Sequence, residues 1–382
     1  MNVIKNHGRV VIWRDDWLPG SETFIRNQSD ALKSWKPDCS GLQAIPSPLA
    51  READRVIFAR TLRGSLARKA FKLTRRNSRL SQWLEEPSVR LIHAHFGPDA
   101  TQIVPASRRA GKPLVVTVHG YDVTNFPGGK SVRAWLYRRR LRSLFKYSSR
   151  IIAVSEFIRD RAILLGADPG KTVVHHIGIP IDRSPAIMKK SGIVFVGRFS
   201  EKKGILDLLS AVGMLEGGLR QTRIDLVGDG PLRTEAESIA RVLGLNTRFH
   251  GALSPAAVSA VMAGGLLFCG PSRTARNGDA EGLGMVFLEA GAHAMPTVAY
   301  RHGGVSEAIS HGETGILVEE GDVAALSRAL SRVLTDDLLR IRLGAGARKR
   351  VEEDFDICIQ TEKLEAMYDS VVATWAASEG PQ

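Results

Sequence analysis

The chain has 382 residues, of which 43% are hydrophobic and 24% charged, the composition of an ordinary globular protein. This length favours two or three domains with a large core, and the lack of a run of about 18 apolar residues excludes a membrane-spanning helix. Residues 10–13 form an apolar run too short for the core of a signal peptide. The three cysteines show neither disulfide nor zinc spacing and predict reduced core thiols of a cytosolic protein: Cys39, Cys269 and Cys358.

The formal charge of +13 is concentrated in the first half of the chain. Residues 51–80 carry ten Lys or Arg against two acidic residues, and residues 130–150 carry eight basic residues and no acid. Charge gathered in this way predicts an anionic partner for that half, such as lipid headgroups, diphosphates or nucleic acid.

Short β-rich segments alternate with helical segments along the chain, which is the pattern of a parallel α/β architecture. In the first half, strands are predicted at residues 9–13, 91–95, 114–119, 151–154 and 172–176. The helices predicted there cover residues 21–32, 51–73, 100–110, 132–147 and 156–165.

The same alternation starts again after residues 178–191, which contain two prolines and no periodicity and predict an interdomain linker. Strands follow at residues 193–196, 223–227, 247–250, 266–269, 296–299 and 315–318. Helices follow at residues 204–215, 231–243, 255–262, 284–293, 305–310 and 322–334. Two doubly wound sheets in tandem predict a ligand cleft between the loops at their carboxyl edges.

The loop after the first strand contains Gly20 and Ser21, followed by Glu22 in the first turn of the predicted helix. Such a loop allows backbone groups to approach a ligand closely at the floor of a cleft. It lacks the spaced glycines of a dinucleotide-binding fingerprint, which disfavours NAD as a ligand.

Two later strands of the first half end in polar clusters, one with His95 and the other with His119 and Asp122. His and Asp side chains at the carboxyl ends of strands are candidates for catalysis or for orienting a ligand. We interpret His93 and His175 instead as histidines whose hydrogen bonds are satisfied in the core or in a loop.

In the second half, a strand ends at Gly197 and a helix starts at Gly204, so Arg198 and Lys203 flank a loop at a carboxyl edge. Two cations fixed there can neutralise a diphosphate and the charge that develops as it leaves. Cations that only cap the loop are the alternative. The turn at residues 228–230 favours tight-turn chemistry over ligand contact.

A further motif begins at Glu281, just before a predicted helix. Gly282 and Gly284 free the backbone at the helix N-terminus, where exposed N–H groups favour a phosphate. Glu289 lies about five residues inside the helix, roughly 7–8 Å along its axis. This offset suits one ligand with its diphosphate at the helix tip and its ribose beside Glu289. The alternative is two surface glutamates on an amphipathic helix.

Together these motifs resemble glycosyltransferase family 4, a group of retaining enzymes with the GT-B fold. In the second half the resemblance rests on residues 197–198, 228–230, 281–289, 302–307, 314–315 and 321–322. In the first half, residues 19–25 and 119–122 resemble the branch that acts in bacterial exopolysaccharide and lipid-linked oligosaccharide assembly. The resemblance implies two facing Rossmann-like domains with a cleft between them. Residues 1–183 with a returning helix at 361–382 would form the acceptor domain, and residues 184–360 the donor domain.

The resemblance also implies a site for a UDP- or GDP-sugar donor. Arg198 and Lys203 would hold its diphosphate together with the backbone amides around Gly284 and Met285, and Glu289 would bind its ribose. Gly284 and Met285 replace residues more usual in the family, which leaves the selectivity for donor hydroxyls open.

Two further residues are implied to act on the transferred sugar: Glu281 would contact its hydroxyls, and His119 would face it near the reacting carbon. The chain shows no obvious nucleophile, so the implied route is front-face attack, in which the leaving diphosphate helps to deprotonate the acceptor hydroxyl. We expect no cofactor and no metal, since Arg198 and Lys203 can serve the diphosphate. The single Asp-x-Asp motif, residues 354–356, is interpreted as a cap that starts the last helix.

Apolar and basic residues interleave in residues 55–73, which suits an amphipathic surface lying on anionic lipid. Our hypothesis is that this surface brings the first domain to the cytoplasmic face of the membrane as a peripheral protein. There it would meet an acceptor saccharide linked to polyprenyl diphosphate. The alternative is a cationic helix face packed on the sheet.

Two other functions were weighed. A nucleotide-sugar epimerase shares the expected fold, but the combination of two cations with two spaced glutamates favours a transferase. A basic nucleic-acid-binding protein is supported by charge alone, because no binding motif or aromatic platform accompanies the arginine runs. We therefore expect no nucleic-acid partner.

Overall fold

The computed structural model describes residues 7–129, 131–182 and 190–378. The chain forms two compact units, one of Met1–Pro180 with Ile357–Gln382 and the other of Ile181–Asp356. The expected boundaries, after residues 183 and 360, lie three and four residues further along the chain. Half of the predicted linker, residues 183–189, lies outside the described residues.

The first unit is an α/β structure. Its strands are β1 (Arg9–Trp13), β2 (Asp16–Trp17), β3 (Lys36–Gly41), β4 (Gln43–Ala44), β5 (Arg55–Val56), β6 (Val89–His95), β7 (Leu114–Val118), β8 (Arg150–Ala153) and β9 (Thr172–Val174). Its helices are α1 (Thr23–Ala31), α2 (Leu62–Thr74), α3 (Ser78–Glu85), α4 (Gly97–Arg109), α5 (Val132–Tyr147), α6 (Glu156–Leu164) and the C-terminal α14 (Ile357–Ser378). The main sheet has the order β5-β3-β1-β6-β7-β8-β9, with every pair parallel.

Residues 51–73 are not the single helix that the sequence predicted. Strand β5 and turns occupy the segment up to Thr61, which caps α2 by accepting a hydrogen bond from the Gly64 N–H. Strand β3 was not predicted because its Pro37, Asp38 and Gly41 have low intrinsic strand preference. Parallel pairing with β1 along its whole length stabilises it instead.

The second unit repeats the architecture. Its strands are β10 (Ile193–Val196), β11 (Ile224–Val227), β12 (Thr247–Gly251), β13 (Leu267–Gly270), β14 (Thr297–Arg301) and β15 (Gly315–Glu319). Its helices are α7 (Ile205–Gly213), α8 (Arg233–Val242), α9 (Pro255–Ala263), α10 (Met285–Ala292), α11 (Val305–Ala308), α12 (Val323–Thr335) and α13 (Asp337–Asp354). The sheet order is β12-β11-β10-β13-β14-β15, again all parallel.

Every strand and helix predicted for this unit is present with ends within two residues of the prediction. Buried apolar strands and one apolar stripe per helix produce this regular signal. Helix α13 was not predicted from the sequence. The prediction that Asp354 belongs to the cap of the last helix is therefore wrong. Asp354 ends α13, and the last helix begins only at Ile357.

The last helix, α14, returns to the first unit, as the resemblance implied. The buried carboxylate of Glu365 accepts hydrogen bonds from the backbone N–H groups of Lys33, Ser34 and Trp35, at 2.9, 2.7 and 2.9 Å. One turn further along, the Tyr368 hydroxyl lies 2.6 Å from Nδ1 of His93 in the sheet. The Glu365 carboxylate therefore ties α14 to the turn before β3, and Tyr368 ties it to the sheet.

None of the helices in the described ranges has the length and hydrophobicity that crossing a bilayer requires. Of the three cysteines, Cys39 and Cys269 are buried, as expected. Cys358 is exposed on α14, so the prediction of a core thiol is wrong at that position.

We expect Glu365→Ala to lower the free energy of unfolding by about 3 kcal/mol, because three buried N–H groups lose a charged acceptor. Urea unfolding followed by circular dichroism measures the change. Glu362→Ala, at an exposed position one turn away on α14, is the matched control and should change stability by less than about 0.5 kcal/mol. Equal losses in both variants would contradict the anchoring role.

Candidate functional site

The candidate residues divide between the two units, and the second unit holds those expected to bind a donor. Arg198 and Lys203 flank the loop between β10 and α7, as predicted from the sequence. Arg198 is exposed, and its guanidinium forms no ion pair with any acid in the described residues. A short 3₁₀ turn, Glu201–Lys203, places Lys203 beside Glu281.

Lys203 and Glu281 form the central contact of this site. The Nζ atom of Lys203 donates to Oε2 of Glu281 at 2.5 Å, and Lys202 pairs with Asp279 at 3.0 Å. Burial alone would raise the pKa of Glu281, but the charges of Lys203 and Lys202 outweigh it and hold the pKa at about 2. Glu281 is therefore ionised at neutral pH, able to accept hydrogen bonds from hydroxyl groups.

Helix α10 begins beside this ion pair, at Met285. Gly284 precedes it with a φ of 85°, and a Cβ there would lie 2.4 Å from a ring carbon of Phe287. Only glycine suits this left-handed, crowded position, so the chain can turn directly into the helix. The first N–H groups of α10, from Met285 onward, thus lie at a carboxyl edge, where helix N-termini favour anions.

Glu289 lies one turn along α10 and is half-buried. Burial raises the pKa of Glu289, and the charge of Lys203 opposes that rise. Lys203 therefore acts on both glutamates, which places Glu281, Lys203 and Glu289 in one electrostatic cluster.

Residue spacing predicts no role for His302, but in the structure its ring contacts the Glu281 loop. Its Nε2 accepts a hydrogen bond from the Glu281 N–H at 3.1 Å, so the ring hydrogen is on Nδ1, 2.9 Å from Glu320. The next glycines fit closely against the same loop, since a Cβ on Gly304 would lie 1.9 Å from the Gly282 carbonyl oxygen. His302 and Glu320 immediately follow β14 and β15. This position at the carboxyl ends of two predicted strands is the sequence feature that could have identified them as site residues.

In the first unit, a group of rings surrounds His119 at the end of β7. Its Nε2 lies 3.1 Å from Nδ1 of His95, and its ring packs on Phe24 and Phe96 at centroid distances of 5.0 and 4.3 Å. Burial lowers the pKa of both histidines well below the usual value. Both are neutral at pH 7, so they act through hydrogen bonds rather than as fixed charges. His93 is satisfied at both ring nitrogens, as expected, by Tyr368 and Thr117. The same expectation is wrong for His175, whose buried Nε2 has no hydrogen-bond partner in the described residues.

Asp122 organises the backbone of this corner. Its fully buried carboxylate accepts from the N–H groups of Gly97, His119 and Gly120, at 3.0, 3.1 and 2.8 Å. The Asp122 carboxylate therefore fixes the loops that carry His95 and His119, so its role in this geometry is to position those two side chains. The prediction that it belongs to a ligand-facing loop is not supported by its full burial.

Glu22 is also committed to an internal contact. It accepts two hydrogen bonds from Arg14, both 2.8 Å, and the same guanidinium pairs with the carboxylate of Asp99. Helix α1 therefore begins only at Thr23, and the prediction that Glu22 lies in its first turn is wrong. Gly20 and Ser21 are exposed in the preceding loop, where close approach of a ligand remains a prediction.

No cluster of three or more His, Cys, Asp or Glu side chains suited to a metal ion occurs in the ranges that the structure describes. The expectation of metal-independent chemistry stays a prediction. What the second unit does offer is a set of cations, a helix N-terminus and an ionised glutamate at one sheet edge. These groups can neutralise a diphosphate and hydrogen-bond sugar hydroxyls.

Two family models match consecutive stretches of the chain. Glycosyltransferase Family 4 matches residues 19–183, and Glycosyl transferases group 1 matches residues 181–350. With the two Rossmann-like units and this site, the matches define a glycosyltransferase with the GT-B fold. The chain belongs to glycosyltransferase family 4.

Curated relatives carry similar names. The GDP-mannose-dependent alpha-(1-6)-phosphatidylinositol monomannoside mannosyltransferase of Mycolicibacterium smegmatis is 28% identical over 347 residues, covering 81% of this chain and 88% of the relative. The putative colanic acid biosynthesis glycosyltransferase WcaL of Escherichia coli is 27% identical over 293 residues, covering 73% and 70%. Among solved structures, Anabaena HepE in complex with UDP matches with a TM-score of 0.75 and 20% identity, over 95% of this chain and 100% of that one.

The buried acids near Arg14 generate a pH prediction. Burial and the charge of Asp99 raise the pKa of Asp15 to about 7, despite Lys72 at 3.2 Å. Protonated Asp15 thus contributes stability that is present below its unfolded pKa and is lost as pH rises through 7. Asp15→Asn mimics the protonated form, so from about pH 5.5 to pH 8 we expect wild type to lose about 2 kcal/mol of unfolding free energy relative to this variant.

Urea unfolding of both proteins at the two pH values measures this difference. Asp160→Asn removes the same charge from an exposed position on α6 and serves as the control. An Asp15→Asn variant whose stability followed pH in parallel with wild type would contradict the raised pKa.

Proposed function

We propose that this glycosyltransferase moves a hexose from a UDP- or GDP-sugar to a saccharide acceptor, with retention of the anomeric configuration. The acceptor is a saccharide linked to polyprenyl diphosphate, and the product belongs to a bacterial exopolysaccharide or surface glycan. The relatives that are named for mannosyl transfer to a glycolipid and for colanic acid biosynthesis support this assignment.

The observation that carries the proposal is the contact of Lys203 with Glu281, which lies just before the N-terminus of α10. In this assignment Lys203 and Arg198 bind the diphosphate together with the N–H groups of Gly284 and Met285, while Glu289 binds the ribose. A diphosphate that takes over Lys203 frees the Glu281 carboxylate to accept hydrogen bonds from the sugar. Binding of the donor and orientation of its sugar are then coupled.

Charge development at the leaving diphosphate fits these cations. As the glycosidic bond to the diphosphate breaks, its oxygens gain negative charge that Arg198 and Lys203 stabilise. In front-face attack the leaving diphosphate takes the proton of the acceptor hydroxyl, so no enzymic nucleophile is required. We assign neutral His119 as a hydrogen-bonding partner of the sugar near the reacting carbon.

We also place the enzyme peripherally at the cytoplasmic face of the membrane. Leu62 and Leu66 on α2 are exposed, which supports contact with lipid on that helix. Arg68 and Lys72 instead pair with Asp16 and Asp15. Residues 55–73 therefore combine the two alternatives predicted from their sequence. Some of their basic side chains pack on the unit, and apolar side chains are exposed to contact lipid.

Melting temperature in the presence of UDP, GDP, ADP or NAD tests the donor site. A nucleotide that binds only the folded protein at a hundredfold excess over its Kd adds about 2.7 kcal/mol of stability. We expect a shift of several degrees with UDP or GDP and none with NAD. Arg198→Ala and Glu289→Ala should each remove most of that shift.

The matched controls are Arg248→Ala and Glu216→Ala, at exposed positions of the same unit. Both should keep the wild-type shift, because they lie outside the β10–α7 loop and α10. A response to NAD alone, to no nucleotide, or an unchanged response in the two site variants would contradict the assignment.

Turnover separates transfer from epimerisation. We expect release of UDP or GDP from the sugar nucleotide to rise at least about tenfold when a lipid-linked saccharide acceptor is added, because a transferase needs the acceptor hydroxyl to complete its reaction. Chromatography of the nucleotide products measures this. Conversion of the donor into its epimer without any acceptor would favour the epimerase instead.

A further inference from the structure

A cavity of about 520 Å³ lies in the first unit, between the end of α2 and the helices α4 and α5. It is separate from the ring cluster around His119 and from the Arg14 ion pairs, and none of the roles assigned above uses it. Three arginines line it: Arg75, Arg139 and Arg140.

Arg75 is the recessed member of the three. It caps the C-terminus of α2 in a left-handed conformation with a φ of 53°, and its side chain is half-buried. Its Nε is buried and has no hydrogen-bond partner within the described residues. A buried guanidinium nitrogen left without an acceptor costs free energy, and an anion in the cavity would supply that acceptor.

The charges around Arg75 point the same way. No acidic residue lines the cavity, and none of its three arginines pairs with an acid in the part of the chain described. Burial and the neighbouring charge of Arg140 both lower the pKa of Arg75. Like charges held together without a counter-ion are unfavourable unless an anion binds between them.

The rim of the cavity is apolar and exposed. Leu73 and Leu136 line it with 83% and 40% of their surfaces accessible. Leu66 continues this surface along α2, and Val132 and Trp135 continue it along α5, all of them exposed. Large exposed apolar side chains around a basic recess match a lipid, whose phosphate is charged and whose neighbouring chains are apolar.

We propose that this cavity binds the phosphate headgroup of an anionic phospholipid, with Arg75 and Arg140 as its ligands and the leucine rim in the acyl boundary. The inference rests on the membrane part of the proposed function and names its site. It is independent of the donor assignment in the second unit. A nucleic acid would gain nothing from the exposed leucines, and a small soluble phosphate would leave them in water.

Co-sedimentation with vesicles tests the site, using phosphatidylcholine vesicles with and without phosphatidylglycerol at low salt. Arg75→Lys and Arg140→Lys keep the net charge but lose the planar fork that can hold a phosphate through two N–H groups. We expect each to weaken binding to the phosphatidylglycerol vesicles about tenfold. Arg140 is exposed, so its variant tests the site even if Arg75→Lys folds poorly.

The matched controls are Arg63→Lys on α2 and Arg133→Lys on α5, both exposed and outside the cavity. They should bind within about twofold of wild type, since diffuse attraction to anionic lipid depends on charge rather than on geometry. Equal binding by all four variants and wild type would overturn the proposal, as would binding of millimolar glycerol phosphate that the cavity variants lose while their vesicle binding stays at the wild-type level.

A third result, loss of nucleic-acid binding rather than vesicle binding in the cavity variants, would also overturn it. The nucleotide-induced melting shift is measured on the same proteins and should be unchanged. If that shift is missing in wild type, the donor assignment fails and the cavity proposal does not.

Discussion

Both units depend on one constraint: every paired strand runs parallel to its neighbours, so the carboxyl ends of the strands share one edge. In the second unit, Arg198 follows β10, Glu281 follows β13, His302 follows β14 and Glu320 follows β15. Residues far apart in the chain, such as Lys203 and Glu281, therefore meet, and binding chemistry collects at that edge. The first unit repeats this with Arg14 after β1, His95 at the end of β6 and His119 after β7.

In the proposed donor site, the charged side chains are positioned by internal contacts that a substrate would replace. Lys203 neutralises Glu281 in the structure, and a diphosphate offers Lys203 a stronger set of acceptors. His302 and the close packing of Gly304 fix the backbone of the Glu281 loop through contacts that do not involve Lys203. Preorganised groups of this kind reduce the reorganisation needed when charge develops on the leaving group.

The basic half of the first unit shows how one charge pattern divides into different uses. Arg14, Arg68 and Lys72 neutralise buried or half-buried acids around β1 and β2. Arg75 and Arg140 have no such partner in the described residues and share an open cavity. Net charge predicts that the partner is negatively charged. Only the contacts distinguish the basic residues that pair with acids in the unit from those that can bind the partner.

The sequence by itself determined the architecture of the second unit and the identity of the family. Most of its strands are buried and largely apolar, its helices carry one buried stripe, and the glycines and charged residues of its motifs stand at fixed spacings. These are local properties, so the order of residues is enough to read them. The same reasoning predicted the loop that carries Arg198 and Lys203 and the helix that Glu281 precedes and that contains Glu289.

Only the tertiary structure decided what depends on distant partners. Strand β3 forms because β1 pairs with it, although its own residues disfavour a strand. Glu22 accepts from Arg14 and Asp122 accepts from three backbone N–H groups, so both carboxylates hold the surrounding loops in place. His302 becomes part of the site through Glu281, 21 positions away. Such contacts join residues that the fold brings together from distant parts of the chain. Residue spacing alone does not indicate which of these residues lie close in space.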